Sequence, residues 1–208
     1  MGKISLRESL APPPRIARIN VDQYHRMLET GILKDGDPIE LLDGVLVYKD
    51  RGGQGEDAMT VGKKHRMTVL RLMDLASAIR NYGAHLYLQN PITLAPDHEP
   101  EPDGCIVRGS PEEYADRHPG ASDLWSVIEV SDSSLAYDRT AKLRVFAASG
   151  ILQYVLLNLV DLQVEVYELP IPREGRYERS TILKMGSSVP FLVGQEKRLE
   201  VPVDKLIY

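Results

Sequence analysis

The chain has 208 residues and carries 25 Lys+Arg against 30 Asp+Glu, a formal net charge of −5, with 43% hydrophobic and 26% charged residues. This composition excludes a disordered chain and is large enough for a sizeable core. A lone cysteine, Cys105, excludes an intrachain disulfide framework and a multi-cysteine zinc site, and the slight acidic excess excludes a protein that grips nucleic acid by bulk positive charge.

The first fourteen residues hold no apolar run long enough for a signal core, and Pro12 to Pro14 give a stiff, extended lead-in. Residues 1–17 are therefore expected to be an extended segment and 18–208 a single domain. No stretch approaches the ~20 apolar residues needed to span a bilayer, so a cytoplasmic protein with no membrane partner is expected. Asn20 is placed to cap a helix over Val21 to Thr30, with Gly31 as its stop. IELLDGVLVY then sets two apolar runs around Asp43-Gly44, the signal of a hairpin closed by a type I′ turn. Gly52, Gly53 and Gly55 mark a mobile loop.

His65, Val69, Leu72, Ala76 and Ile79 form one stripe of a long helix that Gly83 ends. Short strands are expected at His85 to Gln89, Ile92 to Leu94 and Pro102 to Val107. A polar excursion follows from Gly109 to Ser122, with a helical turn at Pro111 to Arg117. LWSVIEV reads as a buried strand, Asp138 as the cap of a helix over Arg139 to Ser149, and ILQYVLLN as the next strand. QVEVYEL, RYERSTIL, VPFLV and RLEVPV complete the chain as strands. The order gives an α/β (α+β mixed-sheet) fold, with a long helix on one side and a right-handed strand–helix–strand crossover.

Two carboxylates fall on neighbouring expected strands, Asp103 in EPDGCIV and Glu129 in WSVIEVS. Glu129 closes an apolar run, where an inward-facing charge is costly unless paired or bound to metal. Hard divalent cations take oxygen ligands, so the Val130 carbonyl is a candidate third donor. Position 131 shares a face with Glu129, but Ser131 is too short to act as a cation there. Lys142, four residues beyond Asp138, has a stem long enough to point back over the strand end.

Competing readings accompany each residue. Asp103 after Pro102 suits turn chemistry, Lys142 suits a solvated helix face, and His65 lies on an apolar stripe, as a core histidine or a phosphate contact would. Glu40 alternates with apolar neighbours and suits a pair with a nearby cation. His98, Glu99, Glu101 and Asp103 form a rival metal cluster in a Pro-rich loop, and Lys63 to Arg66 offer positive charge for phosphate. No P-loop, dinucleotide glycine fingerprint or Gly-x-Ser-x-Gly elbow is present.

The succession IELLDG, a helix with His65, EPDGCIV, LWSVIEVSDSS–YDRTAK, ASGILQYVLLN and VEVYEL resembles the Uma-type putative restriction endonuclease family, of the PD-(D/E)XK nuclease superfamily, over roughly Arg18 to Leu169. The resemblance implies a restriction-endonuclease-like core with an N-terminal helix and β-hairpin extension and extra C-terminal strands. It also implies Mg²⁺- or Mn²⁺-dependent hydrolysis of DNA, with Asp103, Glu129 and the Val130 carbonyl as metal ligands, Lys142 completing the catalytic set, and Glu40 and His65 as ancillary residues. One departure is Glu-Val-Ser-Asp-Ser-Ser, where the family commonly has Glu-Val-Leu-Ser-Pro-Ser. A homodimer is expected, since cutting both strands of a duplex favours two sites related by a two-fold axis. Two rivals stand beside this reading: an inactive nuclease-fold module for DNA binding or assembly, and a hydrolase of small phosphoesters.

Acid is not spread evenly. The window from Asp97 to Asp138 holds eleven acidic residues and two basic ones, and residues 51–80 hold six basic and three acidic. A divalent cation would supply positive charge where the acidic window lacks it.

Overall fold

The computed structural model describes residues 16–34, 36–49 and 62–207. The expected lead-in at Pro12 to Pro14 and the glycine loop at Gly52 to Gly55 lie outside the described residues. Helix α1 (Val21–Glu29) starts where Asn20 caps it: the Asn20 side chain accepts from the Gln23 amide, and the Gln23 side chain accepts from the Asn20 amide. The hairpin β1 (Ile39–Leu42) and β2 (Val45–Tyr48) turns through Asp43 and Gly44, with φ of +56° and +70°, both positive as a type I′ turn requires.

The stripe that reads as one long helix is two: α2 (Lys63–Met73) and α3 (Ala76–Arg80). The Asp74 and Leu75 amides bond back three residues, to Arg71 and Leu72, which tightens the chain and breaks the α-helical ladder. Strands β3 (Ala84–Tyr87), β4 (Gly104–Arg108) and β5 (Leu124–Ser131) follow. Residues 92–94 form only isolated bridges, Thr93 to Gly120 and Leu94 to His98, because the surrounding prolines and turns leave no adjacent strand to pair with.

After β5 the chain turns through α4 (Leu135–Tyr137), a five-residue π-turn (Asp138–Lys142) and α5 (Leu143–Ala148). The helical segment thus begins a turn earlier than the sequence suggests. Asp138 is no N-cap: its carboxylate accepts the hydroxyls of Ser131 and Ser134, each at 2.6 Å. Strands β6 (Gln153–Asn158), β7 (Gln163–Ile171) and β8 (Arg176–Lys184) complete a six-stranded sheet ordered β3-β4-β5-β6-β7-β8. Only β5 and β6 run parallel, joined by the helical crossover. Strands β9 (Ser188–Leu192) and β10 (Arg198–Pro202) pair as a separate ribbon, followed by a short helix α6 (Val203–Leu206) that no sequence signal announced.

Strand alternation divides the core into two faces. Ile106, Ile128, Val155 and Leu157 pack against Val69 and Leu72 of α2, Ile79 of α3 and Phe191 of β9. Cys105, Val127, Tyr154 and Leu156 face the other way, onto Val145 and Phe146 of α5. Burying each such large side chain contributes about 1.5–3 kcal/mol. Cys105 is the small buried hydrophobe its neighbours require. Among the described residues no helix is long and apolar enough to cross a membrane.

The crossover is held to the sheet by Glu165 on β7. Its carboxylate accepts from Arg139 Nε at 3.0 Å, Tyr167 Oη at 2.7 Å and Asn158 Nδ2 at 2.8 Å. Burial alone would raise its pKa, but these donors outweigh burial and hold it down at about 2. A pKa depressed in the fold stabilises it above the ordinary value near 4.5, and that stability is lost as pH falls toward 2. Glu165→Gln should therefore flatten the acid limb of Tm between about pH 4.5 and 2, as measured by thermal melts across that window.

Candidate active site

Asp103 is the residue immediately before β4, where the antiparallel ladder with β5 stops at the Gly104–Ile128 pair. Its carboxylate takes the place of the missing strand: Oδ2 accepts the Val130 amide at 2.9 Å. In return the Asp103 amide donates to Glu129 Oε2, a long 3.4 Å. The Ser131 carbonyl accepts from Leu159 beyond β6, so by alternation the amide and carbonyl of Val130 both face the β4 side, toward Asp103. The Asp103 and Glu129 side chains thus lie where β4 begins beside β5, with the Val130 carbonyl facing the same side.

Lys142 reaches the same point from the helical crossover. The π-turn inserts an extra residue into that helix, a distortion often found at functional sites. Lys142 is 8% exposed, with Nζ 2.7 Å from Glu129 Oε1 and 3.7 Å from Glu40 Oε2. Glu40 comes from the hairpin, docked by a bridge between Leu41 and Glu99, and Glu40 Oε2 also accepts from the Glu101 amide at 3.2 Å. On the opposite side His65, in the first turn of α2, places Nε2 3.0 Å from Asp103 Oδ2.

The five side chains singled out in the sequence therefore lie in one contiguous network, Glu40–Lys142–Glu129 and Asp103–His65, joined by the Asp103 amide on Glu129 Oε2. The rival loop cluster disperses instead. His98 accepts from the Asp43 amide at 2.7 Å, Glu99 pairs with His25 at 2.8 Å, and Glu101 pairs with Lys49. Lys63, Lys64 and Arg66 are exposed on α2. Sequence reasoning missed Asp138 as a site residue. Bound by Ser131 and Ser134 and 2% exposed, it adds a further negative charge beneath Lys142. The signal was available in two hydroxyls within seven residues of an aspartate at the exit of a buried strand.

Electrostatics follow from crowding and burial. Burial alone would neutralise Lys142, but Glu129, Glu40 and Asp138 outweigh it and hold its pKa well above the ordinary lysine value. Burial pushes the Glu129 carboxyl up; Lys142 opposes this, and repulsion from Asp138 and Asp103 adds to it. For Asp103, burial is overcome by the His65 hydrogen bond and charge, the Val130 amide and Lys142, so its pKa falls. His65 in turn is raised: its bond to Asp103, with Asp138 and Asp132 nearby, outweighs burial.

Four carboxylates (Asp103, Glu129, Glu40 and Asp138) thus gather around the Lys142 ammonium and the His65 imidazole. Hard oxygen donors short of positive charge suit a divalent cation such as Mg²⁺ or Mn²⁺. A separate trio, Asp43, Asp97 and His98, is the one group of three or more His, Cys, Asp or Glu residues whose donor atoms converge among the described residues. Arg144 and Arg18 already neutralise Asp43, at 2.8 and 3.1 Å.

The six-stranded mixed sheet with its helical crossover defines an α/β fold. The same fold occurs in the crystal structure of a putative nuclease belonging to DUF820 from Anabaena variabilis ATCC 29413, with a TM-score of 0.65 over 90% of this chain and 97% of that one, at 17% identity. The Uma2 family model, described as "Putative restriction endonuclease", matches residues 21–202, and the chain belongs to that family. No curated protein matches the sequence.

Proposed function

We propose that the protein is a metal-dependent endonuclease that hydrolyses DNA phosphodiester bonds. The observation that carries this reading is the convergence of Asp103, Glu129 and Lys142, backed by Glu40 and His65, where β4 begins beside β5. Asp103, Glu129 and the Val130 carbonyl are the residues that would hold Mg²⁺ or Mn²⁺. When bound, such an ion polarises the scissile phosphate and lowers the pKa of a coordinated water. Lys142 keeps its proton, orients the attacking water through Nζ and offsets negative charge developing on the phosphate. Glu40 and Glu129 hold the ammonium group in place from two sides. His65 fixes the rotamer of Asp103 by bonding Oδ2.

The domain spans residues 18–208 in this reading and acts in the cytoplasm as a homodimer, since two sites related by a two-fold axis match the two strands of a duplex. The test is a supercoiled-plasmid assay with Mg²⁺ or Mn²⁺, run beside a chromogenic phosphodiester. Nicked and linear DNA that EDTA suppresses, with little turnover of the small ester, is the expected result. DNA binding without cleavage would favour the inactive module, and turnover of the small ester alone would favour a phosphoesterase.

A further inference from the structure

A cavity of about 710 Å³ opens between the start of α1, strand β3 and the 3₁₀ segment at Pro111–Tyr114 with the loop after it. That volume lies within the usual ~300–1,000 Å³ of small-ligand sites. Four aromatic rings line it: His25, Tyr87, Tyr114 and His118. His25 and His118 stand edge to face at 6.3 Å, and the Arg117 guanidinium lies 4.8 Å over the Tyr114 ring. Flat walls of this kind accept a flat ring by stacking.

The polar groups narrow the ligand further. Glu99, 3% exposed, accepts His25 Nε2 at 2.8 Å and the Thr93 hydroxyl at 2.8 Å. Asp22 and Asp116 also line the cavity, while Arg117 is paired with Asp123 at 2.6 Å. The two carboxylates disfavour an anion and offer acceptors to a hydrogen-bond donor.

Position relative to the candidate active site is set by register. Tyr87 pairs with Cys105 and Cys105 with Val127, so all three share the face that carries Glu129 two residues on. Two strand spacings and a two-residue rise put Tyr87 about 12 Å from Glu129 along the sheet. That span is on the scale of a nucleotide or two of extended backbone.

We propose that this cavity is a base-binding subsite that takes an unstacked nucleobase bearing an exocyclic amine, from the strand whose phosphate lies at Asp103 and Glu129. The ring stacks on an aromatic wall, and its amine donates to the Asp22 or Asp116 carboxylate of the rim. Adenine, cytosine and guanine qualify, and thymine, with no amine, does not. The inference rests on the nuclease reading only for its neighbour, since the base site stands on its own geometry.

The test is photocrosslinking in EDTA, with no cleavage required. Oligodeoxynucleotides carrying a single 5-iododeoxycytidine or 5-iododeoxyuridine are irradiated with the full-length protein, and adducts are mapped by mass spectrometry. Adducts on Tyr87, Tyr114, His25 or His118, several-fold stronger for the cytosine probe, are expected. Among the described residues the His118 side chain makes no hydrogen bond that His118→Ala would lose, and this variant should weaken binding of the cytosine probe about five- to tenfold. Adducts confined to α2, or equal yields from both probes with unchanged affinity in His118→Ala, would overturn the proposal. If metal-dependent cleavage persists alongside those results, the base site alone has failed; if cleavage is absent while adducts map to the cavity, the nuclease reading alone has failed.

Discussion

Glu129→Gln should lower metal-dependent plasmid cleavage by about a thousandfold or more while leaving the fold intact. The substitution is isosteric but removes a full negative charge from the ligand set, and a neutral amide oxygen is a far weaker ligand for a hard cation. Loss of one charge-stabilising group at a reacting phosphate is alone of order 10²–10³ in rate. Stability should move the other way. Glu129 is buried and repelled by Asp138 and Asp103, so neutralising it relieves a cost that Lys142 only partly offsets. Lys142 keeps Glu40 and Asp138 beside it. Thermal melts in EDTA should therefore give a Tm equal to or above that of the parent, with cleavage lost. Cleavage within about tenfold of the parent would sink the assignment of Glu129 as a ligand. A lowered Tm would mean that its charge holds the fold together, as in an ordinary buried ion pair. Stability gained as activity is lost is the usual mark of a site held under electrostatic strain for function.

Local chemistry was the most legible part of this chain. Asn20 and Gln23 form their reciprocal cap, and Asp43-Gly44 forms its turn, because each depends on residues within four positions. The buried parallel pair was also readable, since LWSVIEV and ILQYVLLN are too apolar to face water on either side. What failed depended on distant partners. Asp138 has the composition of a cap, but a cap needs free helical amides, and here Ser131 and Ser134 claim the carboxylate first. Residues 92–94 have strand composition and no strand beside them. The site divides along the same line. Asp103, Glu129 and Lys142 were suggested by order and type, aided by a family resemblance. That Glu40 stands 3.7 Å from Lys142 follows from how the hairpin docks across Glu99, which no spacing in the sequence encodes.

Lys142→Met should destabilise the metal-free protein by about 3–5 kcal/mol, the cost of leaving buried charges without their partner. For a domain of this size that corresponds to roughly 6–20 °C in Tm. Methionine matches the stem and removes only the charge, so packing is nearly conserved. Glu129 and Glu40, 4% and 2% exposed, then face each other and Asp138 with no cation between them. The deficit should depend on pH in a defined direction. A carboxyl whose pKa is raised by folding binds a proton more tightly in the folded state, so stability falls as pH rises from the ordinary value near 4.5 through the raised one. Without Lys142 that rise is larger, and the gap between variant and parent in EDTA should be wider at pH 8 than at pH 5. A divalent cation at Asp103 and Glu129 restores positive charge to the same spot. Mn²⁺ should therefore raise the Tm of Lys142→Met by more than that of the parent, while leaving cleavage deeply impaired, because the group proposed to orient water would be gone. Equal Mn²⁺ shifts in the two proteins would separate Lys142 from the metal site, and retained cleavage would remove it from the catalytic set. The two readouts move independently, so a variant that merely folds poorly cannot imitate the expected pair.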